Sequence, residues 1–354
     1  MNRYLISLTF LILSACTTTP IVTPDLERVD SDLVFDASVV ALQTENAPKS
    51  NLMKVHVINV RQGNCFLVQY PNGNNMLVDC GTSSSRSSVP PATIGATIDA
   101  LVGSGTIGTV VLTHPDKDHI SIVPYITKAQ NPDYVHISMA ETDYSRISSW
   151  FTTVKGNGAI IRTYANDYFN LKPINEFGSR GTRHNDVEVY VLAANVGGDK
   201  NTHSIVLQIE HGVVDVLLTG DATKQTEAFI LKKWPAASFK SSLVLFGHHG
   251  SNHSSSSTFI NFAARGVGMF SASAAHRGYG HPRCSIYELV LPNLDQNGVN
   301  DMSVAGHNVT CWVDASRSYV THNNVLHGIF GTADQKNMTF VTDGGEYQVL
   351  VDQL

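Results

Sequence analysis

The sequence predicts a layered α/β domain. Short β-branched runs such as Val55-His56-Val57-Ile58 and Thr109-Val110-Val111-Leu112 alternate with segments of helix length. Polar or glycine-bearing loops follow several of those runs, the usual place for functional groups in such folds. Hydrophobic residues make up 42% of the chain and charged residues 15%, which suits a packed body rather than a disordered one. A length of 354 residues allows one large domain or two modest ones.

The elements run in this order. Met1-Asn2-Arg3 is a positive start, and the largely apolar stretch Tyr4 to Leu13 is too short to span a bilayer comfortably, so residues 1–16 read as an export signal. Leu13-Ser14-Ala15-Cys16 resembles the lipobox of bacterial lipoproteins. That resemblance implies cleavage before Cys16, lipidation of its thiol and anchorage to a membrane without spanning it. The non-acidic Thr17 points to the periplasmic face of the outer membrane. Residues 17–50, rich in Thr, Pro, Ser and Asp, read as a linker, and 51–354 as the folded domain.

Within the domain, Val55 to Val60 alternates like a strand, and Phe66 to Tyr70 and Met76 to Asp79 form a hairpin around Pro71-Asn72-Gly73-Asn74. Pro91 begins a helix that reaches Val102, and Thr109 to Thr113 is a buried strand leading into His114. Strands are expected at Tyr134–Ser138, Val187–Leu192, Ser204–Glu210, Val213–Leu218 and Leu243–Phe246, with helices at Ser145–Val154 and Ala222–Lys233. Tyr144, Trp150 and Phe151 could stack bases, but aromatics at helical spacing are more often core. The Asn- and Ser-rich tail leaves room for an insertion over about 291–336 before two closing strands, Met338–Val341 and Tyr347–Val351.

Five cysteines are present, and the four after Cys16 allow three pairings. A two-residue turn at Asn72-Gly73 would place Cys65 opposite Cys80 and leave Cys284 for Cys311; a longer turn would break that register. None has the spacing of a zinc knuckle. The net charge of -6 argues against a strongly basic surface that coats nucleic acid. With no GxGxxG after a strand and no Walker sequence, a nucleotide cofactor has no support.

The chemistry concentrates in Thr113-His114-Pro115-Asp116-Lys117-Asp118-His119. Two imidazoles and two carboxylates this dense, directly after a buried strand, would repel or waste burial unless a cation sat among them. The pattern HxDxDH resembles the first metal motif of the metallo-β-lactamase superfamily, with Asp116 where that family commonly has histidine. The ComEC-type branch of competence proteins carries the aspartate form. Asn59-Val60-Arg61-Gln62-Gly63-Asn64, Leu77-Val78-Asp79-Cys80-Gly81 and Asn201-Thr202-His203-Ser204 are similar to further motifs of that branch. So are Leu218-Thr219-Gly220-Asp221-Ala222, Gly247-His248-His249-Gly250-Ser251 and Tyr279-Gly280-His281-Pro282, in the same order. The resemblance covers roughly residues 52 to 290 and implies an αββα sandwich holding two divalent metal ions, Zn²⁺ or Mn²⁺.

By the same resemblance His114 and Asp116 serve one metal, Asp118 and His119 the other, Asp221 bridges, and His248 completes the second site with His249 as its substitute. The third-motif histidine of the superfamily is missing; Asn201 stands in its place, with His203 nearby. Asp79 is expected to orient loop backbone or a ligand imidazole rather than react. Asp118, His249 and His281 are the candidate catalytic residues, the two histidines as proton donors and His281 also as an anion anchor. Two cations a few ångströms apart lower the pKa of a shared water to give a bridging hydroxide. The leading functional expectation is an exported hydrolase of phosphodiesters, in small molecules or nucleic acid. Hydrolysis of an ester or amide, including a β-lactam, and a metal-stabilised binding lipoprotein without activity are the alternatives.

Overall fold

The structure, a computed structural model, describes residues 37–83, 90–178, 187–235, 240–271, 279–296, 298 and 301–352. The export signal, Cys16 and the linker up to residue 36 lie outside the described residues. The strands in chain order are β1 (Ala37–Gln43), β2 (Met53–Val57), β3 (Cys65–Gln69), β4 (Asn75–Cys80), β5 (Ile107–Leu112), β6 (Tyr134–Ile137), β7 (Ile160–Thr163), β8 (Glu188–Ala193) and β9 (Val206–His211). They continue as β10 (Val214–Leu218), β11 (Ser241–Leu245), β12 (Ala264–Phe270), β13 (Ser303–Val304), β14 (His307–Val313), β15 (Ser318–Val325), β16 (Ile329–Gly331), β17 (Met338–Thr342) and β18 (Tyr347–Asp352). The α-helices are α1 (Pro91–Val102), α2 (Lys117–Ile120), α3 (Ser148–Gly156), α4 (Lys224–Lys233), α5 (Ser257–Ala263), α6 (Cys284–Val290) and α7 (Thr332–Gln335).

One sheet of ten strands has the order β13-β1-β18-β17-β2-β3-β4-β5-β6-β7, and a second of six has β16-β12-β11-β10-β9-β8. The side-chain period of two explains how they stack. Phe66 and Val68 of β3 point between the sheets, where they share one core with Val189, Leu207, Val216 and Leu243. Leu67, between them in sequence, faces the other way and packs with Ile94 and Ile98 of α1 and Trp150 and Phe151 of α3. The second sheet turns Val206, Leu217 and Val244 outward against Ile230 of α4, Ile260 of α5 and Tyr287 of α6. The result is the expected four-layer αββα sandwich. Tyr144, Trp150 and Phe151 are core residues, each no more than 2% exposed, so none is free to stack on a base.

Two boundaries differ from the sequence reading. Ala37–Gln43, inside the stretch read as linker, is strand β1, paired antiparallel with β18 and β13. The region 291–336 is not a separate insertion, because β13 extends the first sheet and β16 pairs parallel with β12 in the second. Among the described residues the β14–β15 hairpin forms a separate two-stranded sheet, tied to α6 by the Cys284–Cys311 disulfide. β13 and β16 are too short to show a period of their own, and in β1 the apolar residues Val39-Val40-Ala41-Leu42 are adjacent rather than alternating.

The β3–β4 hairpin also closes differently. Tyr70 N–H donates to Asn74 O at 2.9 Å, so the turn has three residues, Pro71-Asn72-Gly73, with Gly73 at φ 85°. That longer turn pairs Phe66 with Val78. An irregularity then restores Cys65 opposite Cys80, and the two form a disulfide. The extra residue is Asp79, at φ 52°. Such a bulge re-aims one side chain, and here it is a carboxylate beside the candidate site.

Across β8, β9 and β10, Glu188, Glu210 and Asp215 lie in register on one row. Burial and the two neighbouring carboxylates raise Glu210 to about 7, and burial raises Asp215 to about 6. A carboxyl whose folded pKa is raised adds stability that is complete below its unfolded value and is lost as pH rises through the folded one. Glu210→Gln should therefore match the wild type near pH 4 and become progressively more resistant to urea than it by pH 8. Equal midpoints at both pH values would contradict the electrostatic strain.

Candidate metal centre

The site lies where strand ends of both sheets meet. β5 delivers Thr113 and His114, α2 carries Asp118 and His119, and Asp116 is the residue just before that helix. From the second sheet, β10 ends at Thr219-Gly220-Asp221 and β11 leads into Gly247-His248-His249-Gly250. Ile205 N–H donates to Thr113 O at 3.1 Å and so ties the two sheets together here. The entry loop closes backbone on backbone: a Cβ on Gly81 would lie 2.5 Å from Ile120 N and Lys117 O. One on Gly63 would lie 2.6 Å from Asp118 O. Asn64 N–H donates to that same Asp118 oxygen at 2.9 Å.

Six side chains converge. Nε2 of His119 lies 3.1 Å from Asp221 Oδ1, and Nε2 of His249 lies 3.6 Å from that oxygen and 3.5 Å from Asp118 Oδ2. Nε2 of His114 lies 3.8 Å from both Asp116 Oδ2 and Asp221 Oδ2. Ligating atoms of His114, His119 and Asp221 fall within 4.8 Å of one another, and so do those of Asp118, His119 and His249. Asp116 and His248 stand at the rim, His248 Nε2 being 3.8 Å from Asp221 Oδ2. Asn201 is a wall residue of a neighbouring hollow, and His203 Nδ1 is held 2.6 Å from Asn195 Oδ1.

The outer partners fix each ring. Asp79 lies 2.6 Å from His119 Nδ1 and accepts from the Thr113 N–H and hydroxyl, both at 2.7 Å. Because the Thr113 hydroxyl donates to Asp79, its oxygen is left to accept from His114 Nδ1 at 3.2 Å. His249 Nδ1 donates to Ser271 O at 2.6 Å, since a carbonyl can only accept. In all three rings Nε2 is thus the inward nitrogen. A ligand imidazole is commonly held this way, by a bond at its far nitrogen. The roles of Thr113 and Ser271 escaped the sequence reading; Thr113 directly precedes His114, whereas nothing in the sequence marks Ser271.

These inward atoms lie within ion-pair distance of one another but make no protein hydrogen bond. His114 Nε2, His119 Nε2, His249 Nε2 and Asp221 Oδ1 are buried without a hydrogen bond. Leaving one such group unsatisfied costs about 1–3 kcal/mol, and four facing one another fit a shared cation. Charge points the same way. Burial opposes ionisation, yet His119 and His249 lie above the ordinary imidazole range because Asp221, Asp79 and Asp118 surround them. Asp221 is held well below the usual carboxylate range against burial, mainly by His119 and His249. Burial and the neighbouring His119 push His114 down to about 3. The carboxylates demand positive charge, and a divalent ion supplies it with less crowding than several protons.

The sequence alone favoured His248 as the ligand and His249 as the proton donor; the backbone reverses their positions. Both are left-handed, at φ 50° and 54°, a strain on the order of 1–3 kcal/mol each. The turn drives His249 inward, 2% exposed, and leaves His248 at the rim. His281 lies beside them, its ring centroid 5.6 Å from that of His248, with Nδ1 buried and unpartnered. Burial, with the neighbouring His249 and His248, lowers it to about 3, so it is a neutral hydrogen-bonding ring rather than a store of protons.

Asp79→Asn should weaken zinc or manganese binding about 10–100-fold, because His119 loses its charged partner. His249→Ala should lose more metal than His248→Ala; metal analysis after dialysis reads both, and equal retention in the two histidine variants would contradict the assignment. The Metallo-beta-lactamase superfamily model matches residues 58–271. ComE operon protein 3 of Bacillus subtilis (strain 168) is 26% identical over 265 residues, covering 69% of this chain and 32% of that one. Competence protein ComA of Neisseria gonorrhoeae is 37% identical over 84 residues, covering 24% and 12%. The chain thus spans about a third of the first relative's length and much less of the second's. Zinc-bound PqqB from Methylobacterium extorquens aligns at TM-score 0.34 and 14% identity, over 54% of this chain and 61% of that one. The β-hydroxylase CmlA aligns at 0.33 and 12%, over 56% and 36%. A match that runs through the strand ends of both sheets makes this chain a member of the metallo-β-lactamase superfamily, whose members are metal-dependent hydrolases, and competence proteins are among the relatives it resembles.

Proposed function

We propose that the chain hydrolyses phosphodiesters with two divalent cations, zinc or manganese. The donor set carries this reading: three carboxylates, Asp116, Asp118 and Asp221, share one cluster with His114, His119 and His249. Such a set is harder than an all-imidazole one and suits ions that also take phosphate oxygens. When bound, the cations supply an acidified water and a counter-charge for the phosphate.

The chain's own residues do the rest. Asp221 offers Oδ1 toward His119 and His249 and Oδ2 toward His114 and His248, so one carboxylate serves both halves of the centre. His114 and His119, both 0% exposed, close the inner side to solvent, while Asp116 leaves the outer side open to substrate. Lys200 Nζ, 3.6 Å from Asp116 Oδ1, adds positive charge at that opening. The buried Nδ1 of His281 holds a phosphate oxygen by donating a hydrogen bond, and the rim imidazole of His248 is placed to hydrogen-bond the leaving oxygen.

We also propose that the protein is exported and anchored through Cys16 at the periplasmic face of the outer membrane. The leader Met1–Cys16 and two disulfides, Cys65–Cys80 and Cys284–Cys311, support an oxidising compartment. Cys16→Ser should move the protein from the membrane to the soluble fraction of cells; continued sedimentation with membranes would count against the lipid anchor. For the activity, the full chain loaded with Mn²⁺ or Zn²⁺ should cut bis-p-nitrophenyl phosphate or single-stranded DNA and leave nitrocefin intact. Asp118→Ala and Asp221→Ala should each lower kcat/KM by roughly 10²–10³-fold or more. Cleavage of nitrocefin alone would replace the phosphodiesterase reading with a lactamase one.

A further inference from the structure

A hollow of about 370 Å³ opens beside the metal centre, lined in part by Asn201, Thr202, Lys224, His248, Asn252 and His253. His248 belongs to both places: its Nε2 lies 3.8 Å from Asp221, and its ring centroid is 6.4 Å from that of His253. The hollow is therefore one side chain away from the cluster.

Its walls are braced. Lys224 N–H donates to His253 O at 3.0 Å, which joins the start of α4 to the loop after His249. The Thr226 hydroxyl donates to Thr202 O at 2.9 Å, the Thr202 and Thr223 hydroxyls lie 3.0 Å apart, and Gln225 Nε2 donates to Gly197 O. These bonds hold the loop around Asn201 against α4. One carboxylate, Asp199, is on the lining, and its Oδ1 already accepts from Thr202 N–H at 3.0 Å and the Thr202 hydroxyl at 2.8 Å. Apart from His248, which serves the metal centre, and the charged Asp199, the lining residues carry an ammonium, one imidazole and the amide groups of Asn201 and Asn252, side chains able to donate to a phosphate's oxygens.

We propose that this hollow binds a second phosphate of the substrate, next along the chain from the diester that is cut. The proposal rests on the phosphodiesterase reading above and narrows its substrate class to molecules with more than one phosphate, such as an oligonucleotide. Lys224 and His253 act here as specificity residues: they touch neither the metal cluster nor the reacting diester.

The experiment compares three substrates on the full, Mn²⁺-loaded chain: bis-p-nitrophenyl phosphate, thymidylyl-thymidine, and the same dinucleotide with a phosphate added at its 5′ or 3′ end. The phosphorylated dinucleotide should be cut with a kcat/KM on the order of tenfold above the plain one, the worth of one charge-assisted hydrogen bond. Lys224→Ala and His253→Ala should erase most of that advantage by raising KM, with bis-p-nitrophenyl phosphate turned over as in the wild type. Equal rates on the two dinucleotides, or equal losses on all three substrates, would overturn the subsite. Titration of the metal-free protein with inorganic phosphate, followed at the His253 ring by NMR, tests the hollow separately. The ring should shift in the wild type and respond more weakly in Lys224→Ala; no response in the wild type would overturn the subsite. If the loaded chain cuts no diester at all, the functional reading fails, and this titration still decides whether the hollow takes phosphate.

Discussion

Buried nitrogen and oxygen atoms that face one another without a hydrogen bond dominate this structure. His114, His119, His249 and Asp221 bring four such atoms together where solvent cannot reach them. In water each would be hydrogen-bonded; inside the fold each is a cost unless something positive stands between them. The surrounding architecture can be understood as what is needed to hold that arrangement in place.

The holding is done from the far side of each ring. Asp79 and Thr113 form one continuous set of hydrogen bonds with His119 and His114, and Ser271 performs the same office for His249. Asp79 reaches its partners because β4 bulges at that residue. The Cys65–Cys80 disulfide sits at the same step of the hairpin and fixes the two strands where the bulge turns the carboxylate inward. A local irregularity and a covalent link thus act on one point.

Neither sheet makes the centre alone. The first brings the loop after β5, and the second brings Asp221 and the two histidines after β11. The shared core between the sheets, with Phe66 and Val68 against Leu207 and Val216, keeps the two sets of strand ends opposed. The left-handed turn at His248 and His249 follows β11, whose Leu243 and Leu245 lie in that same core. The strain places one imidazole inside and the next at the mouth, so neighbouring residues of one type take different tasks.

The sequence by itself determined the layered α/β class, helix α1 to its ends, and most strands that carry the site. Periodicity in β2, β5 and β10 is local, and the crowding of His114, Asp116, Asp118 and His119 needs no tertiary knowledge to be noticed. The ordered motifs extended that reading to Asp221 and the His248-His249 pair. Tertiary structure decided the rest. Only partner strands could reveal β13 and β16, which are too short to show a period, and β1, whose apolar residues are adjacent rather than alternating. Only the backbone at the turn could separate His249 from His248, since side-chain chemistry is identical. The far-side partners, Asp79 across a bulge and Ser271 in a loop distant in sequence, depend on contacts between segments that no local pattern encodes. A hydrogen bond at the back of a ring is set by where the chain returns, not by what surrounds the residue in sequence.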